Sequence, residues 1–259
     1  MKTTLNTPRQ KAIAASVLSL LLGLPVYAAT FANNPSIDAF VTTGPSGNLS
    51  VSNYGGAGAL SVAASGLPKG EFQSVLQFNL SGARASFDTQ FGAGQWNIQS
   101  ITLSLTATSP NNAIYNASAA GQFGISWMQN NSWTEGTGTP TAPTTTGITF
   151  SSLPSFISAG DESLGTFSFA GGTSGAATYT LSLTPDFLAD ASAGNLVSFR
   201  LFADDDAVSY LFNSRSFGTI SARPLLTVVA IPEPAALPLL AAGAALLFGA
   251  DRCRRKYQE

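Results

Sequence analysis

The chain has no histidine and one cysteine, Cys253, close to its C-terminus. Without histidine, Ser-His-Asp and Cys-His nucleophile systems are excluded, as are His-based zinc sites. With no second cysteine there is no internal disulfide, so the folded part must rely on its core. Charge is scarce too, with Asp, Glu, Lys and Arg making up 10% of the residues. Between residues 29 and 231, Lys69, Arg84, Arg200, Arg215 and Arg223 face eleven acids, five against eleven, a net charge of −6. That balance argues against nucleic-acid binding, which needs a cationic footprint. The glycine run Gly55-Gly56-Ala57-Gly58 has no lysine after it and opens no helix, so it is not a phosphate loop.

Long apolar runs occur only at the two ends. Lys2, Arg9 and Lys11 precede the apolar stretch Ala12–Leu24, and Val26-Tyr27-Ala28 places small residues at −3 and −1 of a cleavage site. This three-part pattern predicts a secretory signal peptide over residues 1–28 and entry through the Sec export machinery. At the other end, Pro232-Glu233-Pro234 precedes the apolar run Ala235–Ala250, which is followed by Arg252, Arg254, Arg255 and Lys256. As a helix the run would span about 24 Å, short of the roughly 30 Å hydrocarbon core, and the basic side chains can snorkel to the interface. A transmembrane helix is expected there, with the basic tail kept cytoplasmic. Pro232 and Pro234 should hold an extended segment just outside the membrane, because proline fixes the backbone and is excluded from helix interiors. Cys253 is juxtamembrane, a position where lipidation occurs in other chains.

The ordered trio of Pro232-Glu233-Pro234, apolar run and terminal arginine cluster resembles the PEP-CTERM sorting tail of Gram-negative bacteria. The resemblance implies processing near the motif by an exosortase and transit through the inner membrane. Final delivery would be to the envelope, outer surface or extracellular matrix, and the family is associated with exopolysaccharide and biofilm. Three segments follow: a signal peptide (1–28), an ectodomain (29–231) and a sorting tail (232–259).

The ectodomain reads as all-β. Leu76, Phe78 and Leu80 alternate with polar residues; so do Ile101, Leu103 and Leu105, then Phe123, Ile125 and Trp127. Further alternating stretches hold Phe167, Phe169, Tyr179, Leu181, Leu183, Phe199 and Leu201, and Leu225–Val229 closes the series. Period-two patterning without long helices predicts antiparallel sheets with one buried face. Ten or eleven short strands between Gly and Pro turns point to a sandwich or jelly roll. One short helix is expected, with Thr184 as N-cap, Pro185 at N1, Asp186 in the first turn and Gly194 as terminator. Thr137–Thr146 reads as a long loop.

Asp38-Ala39-Phe40-Val41, Asn53-Tyr54-Gly55, Ser74–Leu80, Trp133-Thr134-Glu135-Gly136, Phe212-Asn213-Ser214-Arg215 and Arg223-Pro224-Leu225-Leu226 occur in that order. This series resembles the DNRLRE-type domain of bacterial surface proteins, a β-sandwich related to carbohydrate-binding modules. Here Gln77 and Ser216 stand where that family usually has an arginine and an acid. The resemblance implies carbohydrate binding; a structural or adhesive role in the polysaccharide matrix or on the outer surface is expected, with exopolysaccharide as a partner. A secreted polysaccharide hydrolase or lyase is the alternative, since carboxylates far apart in sequence can meet in space. Trp96 and Trp133 are candidate sugar platforms, and Glu135 beside Trp133 is the acid placed like a sugar-site residue. Its ordinary use would be pairing with an arginine such as Arg215. Trp127, in an alternating strand, reads as core. No cofactor is required. Asp204, Asp205 and Asp206 form the one dense acidic cluster, a Ca²⁺ candidate without the EF-hand spacing, and Asp38 is a candidate additional ligand.

Overall fold

The computed structural model describes residues 27–115 and 117–233. Eleven strands occur in chain order: β1 (Ala29–Asn33), β2 (Ile37–Thr42), β3 (Ala59–Ala63), β4 (Phe72–Asn79), β5 (Trp96–Thr106), β6 (Gly121–Met128), β7 (Glu162–Phe169), β8 (Ala176–Leu181), β9 (Leu196–Ala203), β10 (Ser209–Asn213) and β11 (Leu225–Pro232). They form a four-stranded sheet, β1-β11-β5-β8, and a seven-stranded sheet, β10-β3-β4-β9-β6-β7, in which β2 also pairs with β4. Every pairing is antiparallel. The two sheets share one core, so the fold is an all-β sandwich.

Alternation explains that core. On β5, Ile101, Leu103 and Leu105 are fully buried, and the residues between them are partly exposed. Register aligns Ile101 and Leu103 with Val228 and Leu226 of β11 on one side, and with Leu181 and Tyr179 of β8 on the other. Opposite them lie Phe40, Phe72, Leu76, Phe78, Phe123, Phe199 and Phe212 of the larger sheet. Several of these rings touch: Phe40 stacks on Tyr54 at 4.6 Å, and Phe169 on Tyr210 at 3.9 Å. The outward face of the smaller sheet sets Thr227, Thr102 and Thr180 side by side across three strands.

The larger sheet departs from one-sided burial. On β4 every residue except Asn79 is buried. The reason is the loop between β6 and β7, which packs over the back of the sheet. Trp133, Ile148 and Leu153 from that loop join Ala39, Val41, Val75 and Met128 in a second apolar cluster. Gln77 lies on this covered side, and its amide donates to Asn131 O at 2.9 Å and Ser198 Oγ at 3.2 Å.

Two α-helices are present among the described residues, where one was expected in the ectodomain. α1 (Ser81–Phe91) buries only Ala83 and Phe87, four residues apart, and has no side-chain cap, so its sequence signal is faint. α2 (Pro185–Ala193) starts after Thr184 and ends at Gly194 in the left-handed region (φ 74°), as the sequence suggests. Its cap, however, comes from β7. Glu162 accepts hydrogen bonds from Thr184 Oγ1 (2.6 Å), Asp186 N (3.3 Å) and Phe187 N (2.8 Å).

Strand β11 runs through Pro232, opposite Trp96, and the Glu233 N–H donates to Gln95 O at 2.9 Å. The first two residues of the Pro-Glu-Pro motif are therefore the last rung of the sheet. Ala29 and Ala230 are cross-strand partners, so the described body begins and ends at the same end of one sheet. The expected signal-peptide core, Pro234, the apolar run Ala235–Ala250, Arg252, Cys253, Arg254, Arg255 and Lys256 lie outside the described residues. Among the described residues, no helix is long and apolar enough to cross a membrane.

Candidate functional site

Glu135 is bound rather than open. Its carboxylate receives two bonds from the Arg215 guanidinium, Nε to Oε1 at 2.6 Å and Nη2 to Oε2. Glu135 Oε1 also accepts the Asp38 N–H at 2.9 Å, and Asp38 Oδ2 accepts the Arg215 N–H at 2.7 Å. Three segments distant in sequence are thereby locked together: strand β2, the β6–β7 loop and the turn after β10. Asp38 is 1% exposed, and its Oδ1 has no hydrogen-bond partner. Burial pushes its carboxyl up to about 7, assisted by nearby Glu135 and opposed by the Arg215 N–H and the charges of Arg215 and Arg223.

Asn53 secures the same loop. Its amide nitrogen donates to Glu135 O and Ile148 O, both at 2.7 Å, and its Oδ1 accepts from Gly55 N and Gly138 N, both at 3.1 Å. The fit requires glycine at 138, where a Cβ would stand 1.9 Å from Asn53 O. With every oxygen engaged, Glu135 acts as an architectural acid in this conformation.

The two tryptophans expected to be sugar platforms are enclosed. Trp133 is 2% exposed, lies in the second cluster and donates from Nε1 to Ser198 Oγ at 3.0 Å. Trp96 is 8% exposed, packs edge-on against Phe87 at 5.1 Å and donates to Asp88 Oδ1 at 2.8 Å. As placed, neither presents an open ring face, because the apolar indole gains more from the core than from water.

The acidic triplet lies between β9 and β10. Asp205 Oδ1 accepts from Ala207 N (2.9 Å) and Val208 N (2.8 Å), and Oδ2 accepts from Gln122 N (2.5 Å). Desolvation raises the Asp205 carboxyl, but these three amide bonds outweigh it and hold it below the usual carboxylate range. Asp204 Oδ2 accepts from Thr166 Oγ1 at 2.8 Å, and Asp206 is exposed. Among the described residues, no group of three or more acidic, cysteine or histidine side chains is arranged to hold a metal ion. Asp38 is engaged elsewhere, at the Arg215 N–H.

An open groove of about 640 Å³ lies where the N-terminal part of the β6–β7 loop meets α2 and the start of β9. Trp127, Gln129, Asn131, Asp186, Asp190, Asn195 and Leu196 contribute to its lining. A second depression of about 620 Å³ adjoins it through the shared Gln129 and Asn131. Asp186 and Asp190 are four apart on α2 and so share a helix face. Asn195 Nδ2 donates to Asp190 Oδ1 at 2.9 Å and orients it. Leu196 is 39% exposed, an apolar side chain left open at the start of a strand. Trp127 Nε1 and Asn131 Oδ1 are buried without partners. This group was not legible in the sequence because its members come from three elements and match no motif; the one available signal was Leu196 next to a helix stop.

No protein-family model matches the chain, and no curated protein matches it. Among solved structures, a chain from Desmodium yellow mottle tymovirus aligns over 82% of this chain and 90% of its own. Its identity is 9% and its TM-score 0.26.

Proposed function

We infer that the protein is an exported cell-surface or matrix protein of a Gram-negative bacterium, a substrate rather than a catalyst. Its tail is read by an exosortase, and its sandwich serves a structural or adhesive role in contact with exopolysaccharide. The observation that carries this reading is the order of sequence features: an export leader, then Pro232-Glu233-Pro234, an apolar run and four cations. Between the two signals stands a sandwich whose first and last strands are neighbours.

The test is cell fractionation in strains with and without the exosortase. With the enzyme, the protein should leave the inner membrane; without it, the full-length form should accumulate there. An identical distribution in both strains would refute the sorting assignment.

A further inference from the structure

The groove between Trp127 and α2 belongs to none of the sites that the sequence suggested. We propose that it binds an uncharged saccharide chain, an inference that rests on the exopolysaccharide-linked role above and gives it a location and a ligand class.

The lining has the chemistry that sugar hydroxyls need. Each hydroxyl both donates and accepts, so its site must offer both kinds of partner. Asp186 and the second oxygen of Asp190 are acceptors with no protein donor assigned to them. Gln129 and Asn195, both in the lining, carry amide donors. Leu196 gives the apolar patch on which the C–H face of a sugar ring can rest.

A second observation comes from the floor. Trp127 is 2% exposed and lines the groove, yet its Nε1–H has no acceptor. Asn131 spans the same region: its Nδ2 donates to Leu196 O at 3.2 Å, and its Oδ1 has no donor. Buried polar atoms are ordinarily paired, and here an unpaired donor and an unpaired acceptor belong to two residues of one lining.

Charge selects the ligand. The lining contains two carboxylates and no lysine or arginine. A polysaccharide bearing uronate or sulfate would meet like charge, whereas a neutral one would not. The volume suits a short run of sugar units, and the adjoining depression extends the path along Asn130, Ser132 and Ser158.

Affinity electrophoresis of the protein purified from the envelope tests the proposal, with a panel of neutral polysaccharides beside alginate and pectate. Retardation by at least one neutral polymer and none by the acidic ones is expected. Asp186→Ala and Asp190→Ala should each weaken the interaction about tenfold, the loss of one hydrogen bond to a charged group. Both positions lie on the solvent side of α2, and far-ultraviolet circular dichroism will verify that the variants fold. Glu71→Ala, outside the groove, should bind like the wild type. Full binding by the double variant would overturn this site while leaving the carbohydrate-linked role intact. Retardation by the acidic polymers alone would overturn the ligand class. No retardation of the wild type by any polymer would overturn both the site and the carbohydrate contact proposed above.

Discussion

Replacing Asp38 with asparagine should stabilise the protein at pH 8 and leave it nearly unchanged at pH 4. Asp38 is 1% exposed, carries an unpartnered Oδ1, and has its carboxyl pushed up to about 7 from 3.8. Between those values the folded protein keeps a proton that the unfolded chain has released, so unfolding releases a proton. Stability is therefore highest below pH 3.8 as far as this group is concerned, and falls as pH rises through 7. About three pKa units at 1.36 kcal/mol each give a loss of roughly 4 kcal/mol by pH 8. The absence of histidine leaves the pH 5–7 window otherwise quiet, which makes the effect readable. In the Asp38→Asn variant the amide would keep an oxygen for the Arg215 N–H and would carry no charge to desolvate. Urea unfolding followed by tryptophan fluorescence at pH 4, 5, 6, 7 and 8 should show wild-type stability falling while the variant stays level. At pH 8 the variant should be more stable by about 2–4 kcal/mol. A wild type indifferent to pH over this range, or a variant weaker at pH 8, would refute the reasoning.

Lys69 is a second buried titratable group, 3% exposed, held by Ser209 Oγ at 2.6 Å and Ala117 O at 3.3 Å, with burial lowering it to about 8. Its folded value lies below its unfolded one, so stability should rise between pH 8 and 10.5; Lys69→Met should gain about 2 kcal/mol at pH 7 and lose that advantage near pH 11, by denaturant titration. Removing Arg215 with Arg215→Met leaves Glu135 enclosed without its cation and should cost about 2–4 kcal/mol, read as a lowered urea midpoint. Glu162→Ala uncaps α2 and should cost about 1 kcal/mol, lowering the melting temperature by a few degrees. Asn53→Ala removes four hydrogen bonds from the β6–β7 loop and should cost about 3 kcal/mol or more, with faster proteolysis in residues 135–148.

Alternation made the sandwich legible. Ile101, Leu103 and Leu105 announce a strand with one buried face because each touches the opposite sheet at every second residue. The α2 signals at Pro185 and Gly194 are equally local and are found where expected. What escaped the sequence is long-range. Nothing near Glu162 says that it will cap a helix starting at Pro185, and nothing near Asn53 predicts a staple to Glu135 and Ile148. α1 was missed because an amphipathic stripe of only Ala83 and Phe87 is too weak to register. The burial of Gln77 and Ser198 was not legible because the loop that covers them is not adjacent in sequence. The same limit explains the site: tryptophans near loops suggested sugar platforms, but the loop folded inward and took Trp133 with it.

The sorting claim is tested most directly by the intact mass of the mature protein recovered from the host's surface or medium. The predicted species is a chain that begins at Ala29 and lacks Arg252–Glu259, with its new C-terminus close to Pro232-Glu233-Pro234. A mature species that retains the terminal basic cluster, or that still begins at Met1, would contradict it.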